Sequence, residues 1–400
     1  MSTLARPVRA KLRGATAGAT RMPDTEGYRL EGWEPGALLL IVLLALSFGL
    51  VELYSASALM ASEEGLPAHS YALRQLLGVG PGIATMFALY WVDPRLYRPL
   101  AWPLLGFVFV LLVILVLPWT ESIAPRTNGA RRWLDLGISV QPSELAKLAL
   151  ILWTASLAVR KQEKLHSLRF GLLPFLVVWS AITLPILLQP DFSAAVLLVL
   201  LSALVLFAGG ARIGHIILLG MVAMPVLWNQ IESVGYRLRR VMGFLDPSGD
   251  PTGVSYQIHQ SLIAVGSGGL TGVGFGGSRQ KFGFLPEPHN DFLFAMIGEE
   301  WGFLGVAFTL ALFLAFALVG YRIARAAPDL FSYLLGLGMT NLIVVSALLH
   351  MAVALALLPT TGLNLPFMSY GRSGLLVSFA AVGILLAVAR TSMRPSGRAR

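Results

Sequence analysis

The sequence predicts an all-α polytopic membrane protein. It is a bundle of about ten transmembrane helices, with both termini cytoplasmic and a large extracytoplasmic connection between helices 7 and 8. Three observations carry this. The 400 residues are 56% hydrophobic and only 13% charged, against about 25% charged in an ordinary soluble domain, and mean hydropathy is +0.72. Apolar runs long enough to cross a bilayer, about 17–25 residues, recur along the chain. Lys and Arg fall unevenly on alternate connections, the bias that orients membrane helices. The same bias accounts for the net charge of +9 without nucleic-acid binding. The chain has no cysteine, which excludes disulfides and thiol chemistry.

Residues 1–35 form a basic tail carrying Arg6, Arg9, Lys11, Arg13, Arg21 and Arg29. The first apolar run begins too late, and is too long, for a signal peptide with its core of about 7–15 residues. The tail therefore reads as cytoplasmic. Spans are expected at 36–60, 73–92, 100–119, 142–159, 170–188, 192–209, 213–231, 292–323, 331–358 and 367–389, within one domain over 36–390. Pro225 interrupts the seventh. Residues 391–400 form a second cytoplasmic tail. With the N-terminus inside, the inner segments 93–98, 160–169, 210–212 and 322–329, together with the tails, hold roughly twice as many cations as the outer ones. No fixed-period or inverted repeat is visible.

Two long outer loops break that bias. Residues 121–141 contain Arg126, Asn128, Arg131, Arg132 and Trp133; residues 232–290 contain Arg237, Arg239, Arg240, Arg279 and Lys281. Long loops tolerate cations freely, so a single arginine there means little, but the cluster points to an anionic ligand. Arg74, at the outer end of the second span, belongs with these cations.

The segment 277–302 places Arg279 and Lys281, then a Pro-rich turn with Glu287 and His289, then Asp291 at the mouth of an apolar run. A carboxylate at a membrane edge is costly unless solvated, paired or used. Asp291 reads either as a helix N-cap or as a functional acid. Glu299 lies about 12 Å further along the same face and reads as structural. In Q-P-S-E-L-A-K, Glu144 and Lys147 are three apart and meet on one helix face, either as a buried ion pair or as a pair that orients a phosphate. Gly272, Gly274 and Gly277 match G-x-G-x-x-G formally, but the βαβ context is missing; close backbone approach explains them better. Residues 359–374 form a polar, turn-rich break before the last span, with Arg372 on the outer side. Asn341 and His350 read as internal hydrogen-bonding residues. No spacing of His, Asp or Glu reads as a metal cage.

At N-G-A-R-R-W-L-D-L-G-I-S-V-Q-P-S-E-L-A-K, Y-R-L-R-R-V-M-G-F-L-D-P, Y-Q-I-H-Q-S-L-I-A-V-G-S-G-G-L-T-G-V-G-F-G-G-S-R-Q-K, F-L-P-E-P-H-N-D-F-L-F-A-M-I-G-E-E and L-P-F-M-S-Y-G, the chain resembles the SEDS family (FtsW, RodA, SpoVE). The likeness covers nearly all of 36–390. The S-R-Q-K segment and residues 237–247 lean towards the division branch. The resemblance implies ten helices and a peptidoglycan glycosyltransferase that polymerises lipid II at the outer face of the cytoplasmic membrane. Partners would be a cognate class B penicillin-binding protein and other division proteins. Asp291 takes the place of the family's essential aspartate, and Glu144 and Lys147 that of its acid and lysine. Asn290 stands where the family has Thr, Arg372 where it has a small residue, and Thr361 where many division members have Lys.

One displacement by the 4-hydroxyl of lipid II at the anomeric carbon would turn an α-linked pyrophosphate into a β link. A stable leaving anion needs cations more than an acid, so one base, Asp291, would suffice. Substrate and pyrophosphate contacts would come from Arg74, Arg132, Glu144, Lys147, Arg279, Lys281, Glu287 and His289. Any Mg or Mn ion would be shared with the substrate phosphates. The alternatives are a RodA-like elongation polymerase, a lipid II flippase and a non-enzymatic division scaffold. A flippase needs polar contacts through its full depth, whereas these residues cluster towards the outer half.

Overall fold

In the computed structural model, which describes residues 29–126, 130–135, 137, 139–232, 235–245, 253 and 255–393, each apolar run closes its backbone hydrogen bonds within a helix, as a bilayer demands. Residues 1–28 and 394–400 of the two tails, Asn128, and Asp246 and Pro247 lie outside the described residues, as does the Arg237 side chain. The spans are α1 (Glu34–Glu63), α2 (Ser70–Trp91), α3 (Pro94–Ile114), α4 (Pro142–Arg160), α5 (Leu173–Leu188, entered through a π turn, Leu168–Leu172), α6 (Phe192–Ala208) and α7 (Ile213–Glu232). Two shorter helices, α8 (Gly235–Leu245) and α9 (Tyr256–Ser267), precede the last spans, α10 (Leu293–Arg325), α11 (Leu330–Ala354) and α12 (Arg372–Met393). Among the described residues nine helices are long and apolar enough to cross a membrane, with Phe192–Ala208 a shorter tenth. The chain is thus a multi-pass membrane protein. A two-stranded ribbon, β1 (Leu134–Asp135) with β2 (Ser139–Val140), precedes α4.

Several expected bounds move for local reasons. The third span starts at Pro94 rather than near 100, because Pro suits a first turn and Asp93 Oδ1 accepts from Arg95 N at 2.9 Å. The ninth stops at Ala354, short of Ala356 with its φ of 54°. The last begins at Arg372, because Phe367 (φ 66°) and the Leu365 N–H held by Ser369 Oγ form a turn instead. The seventh runs through Pro225 unbroken. The segment 232–290 is part helix, not a plain loop.

The feature that shapes the site is a break in α10 at Gly302, where φ 62° and ψ −155° leave helical space. Residues 303–325 alone rise about 34 Å, enough for a hydrocarbon core of about 30 Å. Residues 293–300 form a wholly buried arm beyond it. A break frees backbone groups, and here the glycine-rich run takes them. Val273 N donates to Glu299 O (3.0 Å) and Gly274 N to Glu300 O (3.1 Å), while Phe303 N and Leu304 N donate to Gly269 O (2.9 Å) and Leu270 O (3.2 Å). Gly272 (φ 81°) comes so close that an added Cβ would sit 2.0 Å from Glu300 O. The glycines therefore serve helix packing, not a nucleotide.

Helices α2 and α12 form a close seam. A Cβ at Gly82 would lie 2.3 Å from the Phe379 ring, and one at Gly383 would lie 2.5 Å from Met86 O, the small-residue contact by which membrane helices pack without a hydrophobic drive. At the tail-bearing end Arg322 reaches Glu34 (3.1 Å) and Glu31 (3.2 Å) and lies over the Trp33 ring. Asn341 accepts from the Tyr321 hydroxyl (2.6 Å), and His350 Nδ1 meets Leu363 O (2.7 Å); both are internal, as the sequence suggests.

Candidate active site

The opposite end of the bundle gathers most of the remaining charge. The Pro286–Glu287–Pro288 turn holds Glu287 at φ 52°, a left-handed backbone that a non-glycine residue adopts at a cost of about 1–3 kcal/mol. Its carbonyl accepts from both Asn290 N and Asp291 N, each at 3.1 Å. Asn290 O accepts from Ser369 Oγ (2.8 Å) and His289 O from Tyr370 N (3.2 Å). Gln75 of α2 completes the clamp, donating to Ser369 O (3.0 Å) and accepting from Gly371 N (3.1 Å). Asp291 is thus fixed from three sides.

Its carboxylate has no structural task. Phe292 occupies the N-cap position of α10, and no side chain caps that helix, so the N-cap alternative fails. Asp291 Oδ2 faces Gly362, 3.9 Å from where a Cβ there would stand. Burial, then the Glu287 carboxylate, push its pKa up to about 7, against the pull of Arg240 and Arg132. Arg132 donates to Pro190 O (2.6 Å) and leaves its Nε buried without a partner. Arg240 of α8 donates to Thr360 O at 3.1 Å. The structure adds an acid that sequence reasoning passed over. Asp191 caps α6, accepting from Ala194 N at 3.3 Å, and burial raises its pKa while Arg132 and Lys147 oppose. Like Asp291, it stands at the mouth of an apolar run, and that signal could have found it.

Glu144 and Lys147 do pair, Oε1 to Nζ at 2.6 Å, with side chains 15% and 6% exposed. They line a small cavity with Ser346, Asn364, Ser369 and Ser378, and their charges act on Asp191. Asp291, Asp191, Arg132, Arg240, Glu144 and Lys147 therefore form one electrostatic unit.

Other expected residues fall outside it. Lys281 is turned inward, to Glu300 (3.5 Å) and Gly276 O (2.5 Å). Glu300 also accepts from Ser55 Oγ (2.7 Å), and Glu299 accepts from Ser278 Oγ and from Arg279 N (2.9 Å). These acids fasten residues 276–281 to the buried arm of α10. The Arg279 side chain is exposed. His289 is buried between the rings of Tyr71 (5.0 Å) and Tyr370 (5.8 Å). Burial lowers its pKa to about 4, so it is neutral near pH 7, and Nδ1 is unpartnered. Glu287 Oε2 lies 3.8 Å from its Nε2, and burial raises the Glu287 pKa. Arg74 lies over the Tyr71 ring at 5.7 Å. No group of three or more His, Asp or Glu suited to a metal occurs among the described residues.

The family model described as cell cycle protein, FtsW/RodA/SpoVE, matches residues 36–394. The chain is 42% identical over 360 residues to a probable peptidoglycan glycosyltransferase FtsW of Trichlorobacter lovleyi, covering 90% of this chain and 93% of the relative. It is 40% identical over 356 residues to stage V sporulation protein E of Bacillus subtilis, covering 89% and 96%. Among solved structures it resembles a chain of a peptidoglycan synthase complex that coordinates polymerization and crosslinking (TM-score 0.72, 30% identity, 90% and 98% covered). It also resembles the rod shape determining protein RodA of Thermus thermophilus (TM-score 0.65, 28% identity, 93% and 100% covered).

Proposed function

The chain belongs to the FtsW/RodA/SpoVE family, and from that premise we propose that it is a peptidoglycan glycosyltransferase polymerising lipid II at the extracytoplasmic face of the cytoplasmic membrane, in the division branch of the family. The observation that supports this most is the isolation of Asp291. It is a carboxylate with no cap to make, poised near neutrality, within the field of two arginines. A general base works best with a pKa near the working pH.

In this reading the 4-hydroxyl of lipid II attacks the anomeric carbon of the growing strand. The new C–O bond forms as the bond to pyrophosphate breaks, the hydroxyl proton passes to Asp291, and the electron pair leaves on the phosphate oxygen. Configuration inverts once. Arg132 and Arg240 stabilise the departing charge, and Asp191 with the Glu144–Lys147 pair orients Arg132. Glu287 and His289 shape the turn that aims Asp291. Lys281 holds the loop to Glu300, and Arg279 faces arriving anionic headgroups. The described residues form no protein cage for a divalent ion, so an ion of that kind would travel with the pyrophosphate.

The partner would be a class B penicillin-binding protein, an expectation supported by the synthase complex among the structural relatives. The test is glycan-strand formation from lipid II by the purified chain, with and without that partner. Long strands that depend on the chain would support the proposal. Transbilayer movement of lipid II without any strand formation would replace it with the flippase reading.

A further inference from the structure

A polymerase that joins two lipid-linked sugars must hold two lipid phosphates at once, and Arg132 and Arg240 beside Asp291 account for one. The other end of the clamp carries a second pair of cations. Arg372 opens α12 against the α2 seam: its Cγ lies 3.4 Å from the Cβ position of Gly78. Arg74 stands one turn further along the same face of α2, where residues four apart are neighbours at about 5–6 Å. Both side chains are exposed. Neither makes an ion pair among the described residues. The nearby acid Glu64 takes the single Tyr71 hydroxyl proton between its two oxygens, at 2.8 and 3.0 Å, and pairs with neither arginine. The backbone beneath the arginines cannot spread, because the glycine contacts of the seam and the Gln75 bonds to Ser369 O and Gly371 N fix α2 against α12. Two like charges are thus rooted side by side on a rigid seam, at the helix ends where lipid headgroups lie, with the N-terminal dipole of α12 adding to their field. That arrangement is stabilised by an anion between them.

We propose that Arg74 and Arg372 form a second phosphate site, beside the Tyr71–His289–Tyr370 cluster, which holds the pyrophosphate of the second lipid-linked substrate. This rests on the polymerase reading above and adds where the second lipid is held.

The test uses the full chain with Asp291→Asn, which keeps substrate from turning over, in phosphatidylcholine nanodiscs. Binding of lipid II is measured by native mass spectrometry, with phosphatidylglycerol as competitor. Two bound lipid II molecules are expected. R74Q with R372G should weaken one of them about 10–100-fold, the loss of charged hydrogen bonds, while R132Q weakens the other. R372K should keep most of the binding. Unchanged binding of both molecules in R74Q/R372G overturns the proposal. So does displacement from this site by an equal amount of phosphatidylglycerol, which would make it a general headgroup contact. A failure to polymerise in the parent chain, with binding as expected, would sink the polymerase reading alone.

Discussion

Asp291→Asn separates activity from stability, because the structure gives the carboxylate no stabilising task. Its pKa is raised from 3.8 to about 7, a difference of about 3 units, or about 4 kcal/mol. The sign follows from linkage. Below pH 4 the acid is protonated in both folded and unfolded chains and costs nothing. As pH rises from about 4 to 7 the unfolded chain ionises first, and folding loses up to about 4 kcal/mol, a cost that stays constant above pH 7. Asn is nearly isosteric and never ionises. The variant should therefore match the parent at pH 4 and unfold at a higher temperature at pH 8, measured by thermal denaturation in one detergent. Its polymerisation of lipid II should fall about 10²–10⁴-fold, and the parent rate should climb about tenfold per pH unit below 7 before levelling. An Asn variant that polymerises normally, or that is less stable than the parent at pH 8, refutes the reasoning.

Lys147→Ala would leave Glu144 buried without its 2.6 Å partner and should cost about 3–5 kcal/mol, so expression and activity fall together; adding Glu144→Gln should recover part of the yield. Selective loss of activity with normal folding would instead mark Lys147 as a substrate contact. Gly272→Ala must both adopt φ 81° and clear Glu300 O at 2.0 Å; a loss of at least about 1–3 kcal/mol is expected, read as a lower unfolding temperature. For topology, Ser167→Cys in this cysteine-free chain should resist an impermeant thiol reagent in intact cells, and labelling there would invert the assigned orientation.

The spans were legible because bilayer thickness imposes one length on every apolar run, and the helices over 34–63 and 142–160 sit close to where hydropathy puts them. The break at 359–371 was legible as polar and turn-rich, but the start of the last span was placed at 367 because Phe367 looks like a membrane residue, and only its backbone puts it in the turn. Within the site, Asp291 and the Glu144–Lys147 pair could be read from local spacing. Lys281 could not be sorted from Arg279, because which cation turns inward depends on Glu300, distant in sequence and brought near by the arm of α10. Asp191, at the mouth of its apolar run, carried the same local signal as Asp291, but Arg240 becomes a site residue only when the ends of α8 and α10 converge, a contact no local pattern encodes.

The break at Gly302 also constrains how the chain is made. Its freed carbonyls and amides pair with residues 269–274, which leave the ribosome about 1–7 seconds earlier at about 5–20 residues per second. Until the two meet, the earlier segment can wait in water at no cost. The later one has no such refuge, because a lipid environment leaves each orphaned group costing several kcal/mol. Insertion of this helix and docking of the preceding loop are therefore one coupled event, and a nascent chain stalled between them would hold its half-made helix at the membrane boundary.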